Sequence, residues 1–309
     1  MLSRYAPYGR ITGLLAIFSS QIEVFMRPFK IGVIIDSFRL PLYDGLKAAK
    51  AIGADGLQVY AVRGDMSPDM PPDARRQFKD ACAGLNLEIA ALCGDLGGHG
   101  FQRADENKTK VPRSKQIVDL AVDVGTRVVT THIGVVPEKK TNPVYRTLRK
   151  ACREIARYAA DHGVTFAIET GPEPATHLRA FLDDLATPGI GVNLDPANLV
   201  MVCNDDPVEA ARILGPYVVH THAKDGVQHQ PCDPVKVYGS FAGDKVEDLD
   251  CSKLFSEVPL GEGKVPWDRY LEALEKTGYR GYLTIEREVG QDPSGDIRKA
   301  VQFLRAKLA

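Results

Sequence analysis

Four apolar runs in this chain each end on a side chain that can do chemistry: VTFAIETG on Glu169, GVNLDPAN on Asp195, VVHTHAKD on His222 and GYLTIERE on Glu286. Two glutamates, an aspartate and an imidazole make a donor set for a divalent ion. Such a set suits Mn²⁺, Mg²⁺ or Co²⁺, with Zn²⁺ and Fe²⁺ also admissible. Taken singly, each residue has a plainer use. Glu169 or Glu286 could pair with a neighbouring Lys or Arg, Asp195 could cap the helix that follows it, and His222 could be a satisfied interior histidine. A metal site needs all four in one place, and so needs elements that set distant strand ends side by side.

An internal repeat supplies such elements. An amphipathic helix, a glycine, a few residues and an apolar strand recur at seven junctions, marked by Gly53, Gly84, Gly125, Gly163, Gly189, Gly215 and Gly278. Glycine is expected there because a left-handed residue closes a helix before the chain turns into a strand. With the opening run KIGVIID the strands number eight. Nearly continuous apolar strands that alternate with helices are parallel and covered on the outside. The expected fold is therefore α/β, a single-domain (β/α)8 barrel over residues 30–309, with its active site at the C-terminal strand ends. A doubly wound open sheet would carry a GxGxxG turn after its first strand, where Asp36-Ser37-Phe38-Arg39 stands instead. GDLGGHG, after the third strand, lacks the Lys-Ser/Thr of a phosphate loop. In TLRKACREIARYAADHG, Leu148, Ala151, Ile155, Tyr158 and Ala159 form a packing stripe at helical spacing.

Several further residues fall at or near the expected mouth. His220 lies two before His222, on the same side and one layer deeper, as a supporting or core residue. Lys224, one step further out, could hold a substrate oxygen or neutralise a carboxylate. His99 and His132 end the third and fourth strands as candidate substrate hydrogen-bonders. Glu173 and Glu288 read as solvated loop carboxylates, and Trp267 as a packing residue that opens a helix. Residues 226–258 form one long irregular segment with Pro231, Pro234, Gly239 and Gly243. Such a loop is a lid, a partner contact or an insertion without consequence.

The order AIETG, NLDPAN, HTHAKD, LGEGKVPW and GYRGYLTIE resembles the xylose isomerase-like barrel superfamily of sugar isomerases, epimerases and inosose dehydratases, over about residues 30 to 308. The resemblance implies that Glu169, Asp195, His222 and Glu286 ligate one divalent metal ion, and that the substrate is a sugar or polyol ketone. It implies proton abstraction next to a carbonyl, through an enediolate, with Glu169 and Glu286 as base and acid. Reprotonation then gives epimerisation or isomerisation; loss of a β-hydroxyl gives the dehydratase alternative. A barrel that binds sugar without turnover is a reading of another class. Apurinic endonucleases of the superfamily carry a histidine three residues after the aspartate. Asn198 stands there, which counts against a nuclease and also departs from many ketose 3-epimerases; Asn198 is kept as a candidate substrate contact. Dimers or tetramers are common in the superfamily.

Composition sets the outer bounds. The chain has 309 residues, 44% of them apolar, enough for a substantial core. With 39 basic and 40 acidic residues there is no long-range pull toward nucleic acid, and the basic residues fall in short clusters such as Lys108, Lys110, Arg113 and Lys115. Six cysteines at irregular spacing without a CxxC pair are expected to be reduced thiols of a cytoplasmic protein. No apolar stretch approaches the ~18 residues of a membrane span. Residues 1–29 are expected to be an extension, either disordered or an upstream false start before Met26. The run ITGLLAIFSS after Arg4 and Arg10 resembles an export signal without its small-x-small cleavage site.

Overall fold

A computed structural model describes residues 27–309. Ten strands run in chain order as β1 (Lys30–Ile34), β2 (Gly56–Tyr60), β3 (Glu88–Cys93), β4 (Val128–Thr131), β5 (Thr165–Glu169), β6 (Ile190–Leu194), β7 (Val218–Ala223), β8 (Asp225–Gln228), β9 (Phe255–Val258) and β10 (Tyr282–Ile285). β1 to β7 and β10 close into one parallel barrel, in which β10 lies between β1 and β7. Helices on the outside connect successive barrel strands, so the fold is a single (β/α)8 barrel. Closure leaves the barrel no free edge, and the strands are buried on both faces, which is why they read as unbroken apolar runs.

The core lies between the strands and the helical ring. Ile31, Val33, Leu57, Leu92, Val192 and Leu283 are inaccessible to solvent; each such side chain contributes roughly 1.5–3 kcal/mol by leaving water. The helix Pro143–Asp161 is representative. Asn142 caps its first turn by accepting from the Val144 N–H at 2.8 Å, Pro143 occupies the first position, and Leu148, Ala151, Ile155 and Ala159 are buried. Tyr158 flanks that stripe half-buried, its hydroxyl donating to Asp119 at 2.7 Å. On the outside, Arg146, Arg149, Lys150, Arg153 and Arg157 join Lys115 around Glu154 and Asp161. Five of the six basic residues of this local surface lie on the one helix Pro143–Asp161 at helical spacing, a stripe that the sequence reading passed over in favour of the helix's apolar face.

Of the seven junction glycines, five have positive φ, for example Gly125 at 90° and Gly278 at 86°. Gly84 and Gly215 do not. After the helix Pro72–Gly84 it is Asn86 that turns left-handed (φ 52°), while Gly215 opens a short 3-10 turn, Gly215–Tyr217. Asn tolerates the left-handed region almost as glycine does, so the signal moved by two residues.

The segment expected to be an irregular loop is ordered. β8 and β9 pair antiparallel, with Asp225 opposite Val258 and Gln228 opposite Phe255, and the helices Pro234–Phe241 and Cys251–Leu254 lie between them. At the other end of the chain, the Arg27 N–H donates to Leu308 O at 3.1 Å and Phe29 is buried with its ring 6.1 Å from that of Tyr279. The last residues of the expected extension therefore belong to the barrel; the expectations for residues 1–26 lie outside the described residues. Among the described residues no helix is long and apolar enough to cross a membrane.

Candidate metal centre

Glu169 is the last residue of β5, Asp195 follows β6, His222 is the penultimate residue of β7, and Glu286 follows β10. Parallel pairing sets these ends level, with His222 opposite Thr284 and Glu169 opposite Asn193. The four side chains meet. His222 Nδ1 lies 3.4 Å from Glu169 Oε1, 3.5 Å from Asp195 Oδ2 and 3.3 Å from Glu286 Oε2, and one ligand-type atom of each residue falls within 4.8 Å of all the others. All four residues are buried.

Two atoms of this cluster, Asp195 Oδ2 and His222 Nδ1, have no hydrogen-bond partner although both are inaccessible. Leaving such atoms unsatisfied costs about 1–3 kcal/mol each. A divalent ion would satisfy both at once, and three carboxylates with one imidazole are the donors it takes, so the residues fit it. The other oxygen of Asp195 accepts from the N–H groups of Ala197 (2.8 Å) and Asn198 (2.9 Å). Asp195 thus caps the following turn and still offers a free oxygen, two uses that had looked like alternatives.

A polar layer from neighbouring strands supports the cluster. Gln58 Oε1 accepts from Nε2 of His220 (2.9 Å) and of His222 (3.0 Å), while Gln58 Nε2 donates to Thr130 Oγ1 at 2.9 Å. His222 Nε2 lies between Gln58 Oε1 (3.0 Å) and Asn193 Nδ2 (3.1 Å), which leaves Nδ1 facing the carboxylates. Asn193 Nδ2 donates to Glu169 Oε2 at 3.1 Å, and Asn198 Nδ2 to Glu169 Oε1 at 3.2 Å and Thr170 O at 3.3 Å. Asn198 therefore orients a carboxylate.

The charges are strongly coupled. Burial alone would strip His222 of its proton, but Glu286 and Glu169 override it and hold the imidazole well above its ordinary value. Burial, reinforced by His222, pushes His220 well below, so that ring is neutral. Burial would raise the Glu286 carboxyl, yet the Lys224 ammonium and His222 leave it well below the usual range; His132 and His222 likewise override burial to lower Glu169. Lys224 is only 3% exposed, with Nζ 3.0 Å from Glu286 Oε2, in contact with Glu288 and 3.8 Å from Glu257 Oε2. These contacts are those of a side chain that neutralises carboxylates, and Lys224 also lines the cavity over the cluster.

A cavity of about 680 Å³ opens over the cluster, and its wall includes Glu169, Glu286, Asn198, His99, His132 and Lys224. His132 Nε2 is 3.5 Å from Glu169 Oε1 and its ring stands edge-on to Tyr238 at 5.8 Å. His99 Nε2 sits 3.0 Å from Asp244 Oδ1, facing the 226–258 segment. Glu288 keeps 57% of its side chain exposed while touching Lys224. Glu173 differs from expectation. It is buried, it accepts from the Val136 N–H, and burial pushes its carboxyl up to about 8. The loop after β4 folds over it, a contact between segments far apart in sequence. Trp267 is buried against Tyr270 and Phe303, as its packing role requires, and its Nε1–H donates to Asp225 at 2.9 Å.

Sequence reading overlooked Gln58, Asn193 and Glu257. A polar residue inside GLQVY and inside GVNLD was a visible signal, since an amide in an apolar barrel strand needs a buried partner. Glu257 had none. It reaches the site only because β9 pairs with β8, and there its Oε1 accepts from Arg287 Nη1 at 2.7 Å and from the Glu288 N–H at 3.1 Å.

By architecture the molecule is a (β/α)8 barrel whose mouth gathers three carboxylates and an imidazole. A family model described as xylose isomerase-like TIM barrel matches residues 46–307, and the chain belongs to that family. Among curated relatives, the L-ribulose-5-phosphate 3-epimerase UlaE of Escherichia coli is 24% identical over 281 residues, covering 86% of this chain and 89% of its own. Among solved structures, a xylose isomerase domain protein from Planctomyces limnophilus is 28% identical with a TM-score of 0.73, covering 91% of this chain and 96% of its own. A D-psicose 3-epimerase from Clostridium cellulolyticum H10, solved with D-tagatose, shares the fold at 16% identity and a TM-score of 0.66, covering 91% and 99%.

Proposed function

We propose that this protein is a divalent-metal-dependent isomerase or epimerase of a sugar or polyol ketone, with Glu169, Asp195, His222 and Glu286 as metal ligands and Glu169 and Glu286 as the proton-transfer pair. One observation carries the reading: four ligand-type atoms converge within 4.8 Å, and two of them, Asp195 Oδ2 and His222 Nδ1, are buried without a partner. The sugar epimerases among its relatives agree with it.

A divalent ion held by these four residues supplies electrostatic stabilisation of the negative oxygen that develops when a proton leaves the carbon beside a carbonyl. The chain does the rest. Glu169 and Glu286 are both kept ionised, the first by His132 and His222, the second by Lys224 and His222, despite a burial that disfavours charge. Each is able to take a proton at a carboxylate oxygen, and they end separate strands, β5 and β10, so a substrate carbon between them is approached from two directions. Removal by one carboxylate, and return to the opposite face by the other after it has taken a proton from solvent, inverts a centre; return at the neighbouring carbon isomerises an aldose and a ketose. The helix Pro234–Phe241 contributes Tyr238 to the cavity wall. Six free cysteines suit a cytoplasmic location.

The test is to load the protein with Mn²⁺, Mg²⁺ or Co²⁺, count bound ions, and incubate it in D₂O with a panel of ketoses, aldoses and inososes. About one ion per chain is expected. Deuterium should enter at a carbon next to the carbonyl, and Glu169→Gln and Glu286→Gln should abolish its entry. No exchange with any compound would sink the enzyme reading in favour of a binding barrel; three zinc ions per chain would point to the nuclease.

A further inference from the structure

We propose that the cavity selects an uncharged polyhydroxy carbonyl compound whose end remote from the metal centre bears an apolar substituent, and that it rejects phosphorylated sugars. This rests on the function proposed above and specifies its substrate class. The first observation is charge. Six carboxylates line the cavity, from Asp95, Glu169, Asp244, Glu257, Glu286 and Glu288, against one ammonium, Lys224, and the two imidazoles of His99 and His132. A divalent ion at the centre would reduce that excess of negative charge without removing it.

A phosphate ester would therefore need a cation on the cavity wall; Arg63, Lys236 and Lys245 stand on adjacent segments but not on that wall, and the cations nearest the floor are engaged. Lys224 is shared by Glu286, Glu288 and Glu257. Arg287 is held by Glu257 at 2.7 Å and Asp296 at 2.9 Å. Arg39 donates to the carbonyls of Glu288 and Gly290 at 2.9 and 3.1 Å. Lys110, beneath the glycine-rich GDLGGHG loop, donates to the carbonyls of Gly97 and Gly100, both at 2.9 Å, and pairs with Glu106 at 2.8 Å. Arg103 meets Glu106 at 3.2 Å and lies 3.9 Å from Asp244. A dianion would enter against like charge, which costs binding steeply.

The second observation is the rim. Val235, Phe241 and Val289 line the cavity and are nevertheless 63%, 62% and 47% exposed, three of the six large apolar side chains that the described residues leave in water. Met201, Tyr238 and Phe255 continue the same wall inward. At about 680 Å³ the cavity falls in the range of roughly 300–1,000 Å³ that accepts drug-sized ligands. The polar floor holds the carbonyl and hydroxyl groups; the apolar rim meets what projects beyond them. Burying an aromatic group there would gain about tenfold in affinity.

The experiment uses the full chain loaded with Mn²⁺ and three probes, D-fructose, D-fructose 6-phosphate and 6-O-benzyl-D-fructose, with binding measured by calorimetry and deuterium exchange by NMR. The benzyl ether should bind roughly tenfold tighter than the free sugar, and the phosphate ester about 100-fold more weakly. Phe241→Ser should bring the benzyl-to-free ratio close to one. Phosphate binding as tight as the free sugar, no binding of any probe, or a ratio unmoved by Phe241→Ser would each overturn the inference. The expected affinity order without exchange would support it and count only against the enzyme reading, so the two failures are distinguishable.

Discussion

Gln58 on β2 and His222 on β7 meet across the barrel interior, Gln58 Oε1 accepting from His222 Nε2 at 3.0 Å. Together with Asn193 Nδ2, 3.1 Å from the same nitrogen, that contact holds the ring with Nδ1 toward the carboxylates. Gln58→Met removes the acceptor with little change in volume, and it should lower Mn²⁺ affinity by about 10- to 100-fold in a calorimetric titration, as loss of an outer partner of a metal-binding histidine does. Unchanged affinity in a folded variant would show that the ring is oriented some other way.

Lys224 stands among Glu286, Glu288 and Glu257. Lys224→Met would leave buried carboxylates without their cation and should cost roughly 3–5 kcal/mol in denaturant unfolding. Adding Glu257→Gln should recover part of that loss. Additive losses in the double variant would mean that the two side chains are not coupled.

Glu173 gives a pH signature. Its carboxyl lies at about 8 in the fold, against an ordinary 4.5. A raised folded value binds the proton more tightly than the unfolded chain does, so its contribution is fully present below about 4.5 and is lost as pH rises toward 8. Between those limits stability should fall by roughly 1.4 kcal/mol per pH unit from this group. Glu173→Gln should flatten that slope in chemical denaturation series from pH 5 to 8; an unchanged slope would locate its origin elsewhere.

Asp225 collects four N–H donors, from Gly226 (2.9 Å), Gly261 (3.0 Å), Val265 (3.1 Å) and the Trp267 indole (2.9 Å). It ties LGEGKVPW to the end of β7. Hydrogen bonds to a charged group contribute about 1.5–3 kcal/mol each, so Asp225→Asn should lower the melting temperature markedly. Trp267 is the only tryptophan, and its emission should shift as the indole loses its acceptor. A spectrum identical to that of the parent protein would argue that the indole is held by packing alone.

The four clustered residues were legible because parallel barrel strands are buried on both faces. A carboxylate or imidazole that ends such a run interrupts an otherwise apolar pattern, and the register between neighbouring strands does the assembling. Glu173 was misread because burial there comes from the loop after β4, and nothing local in GPEP indicates it. Glu257 was invisible for a related reason: a polar segment rich in Pro and Gly gives no periodicity, and only pairing with β8 brings that residue in. Gly84 and Gly215 erred in a milder way, since Asn86 and a 3-10 turn close those helices instead.

β7 ends at Ala223 and β8 begins at Asp225, which leaves Lys224 alone between the strand that bears His222 and the hairpin that roofs the cavity. Floor and roof are one continuous stretch of chain joined at a single residue. The roof can therefore be lengthened, shortened or resurfaced between Gln228 and Phe255 while the register of β8 with β9 keeps the floor in place. On the function proposed above, choice of substrate and capacity for chemistry would in this way be separately adjustable parts of one polypeptide.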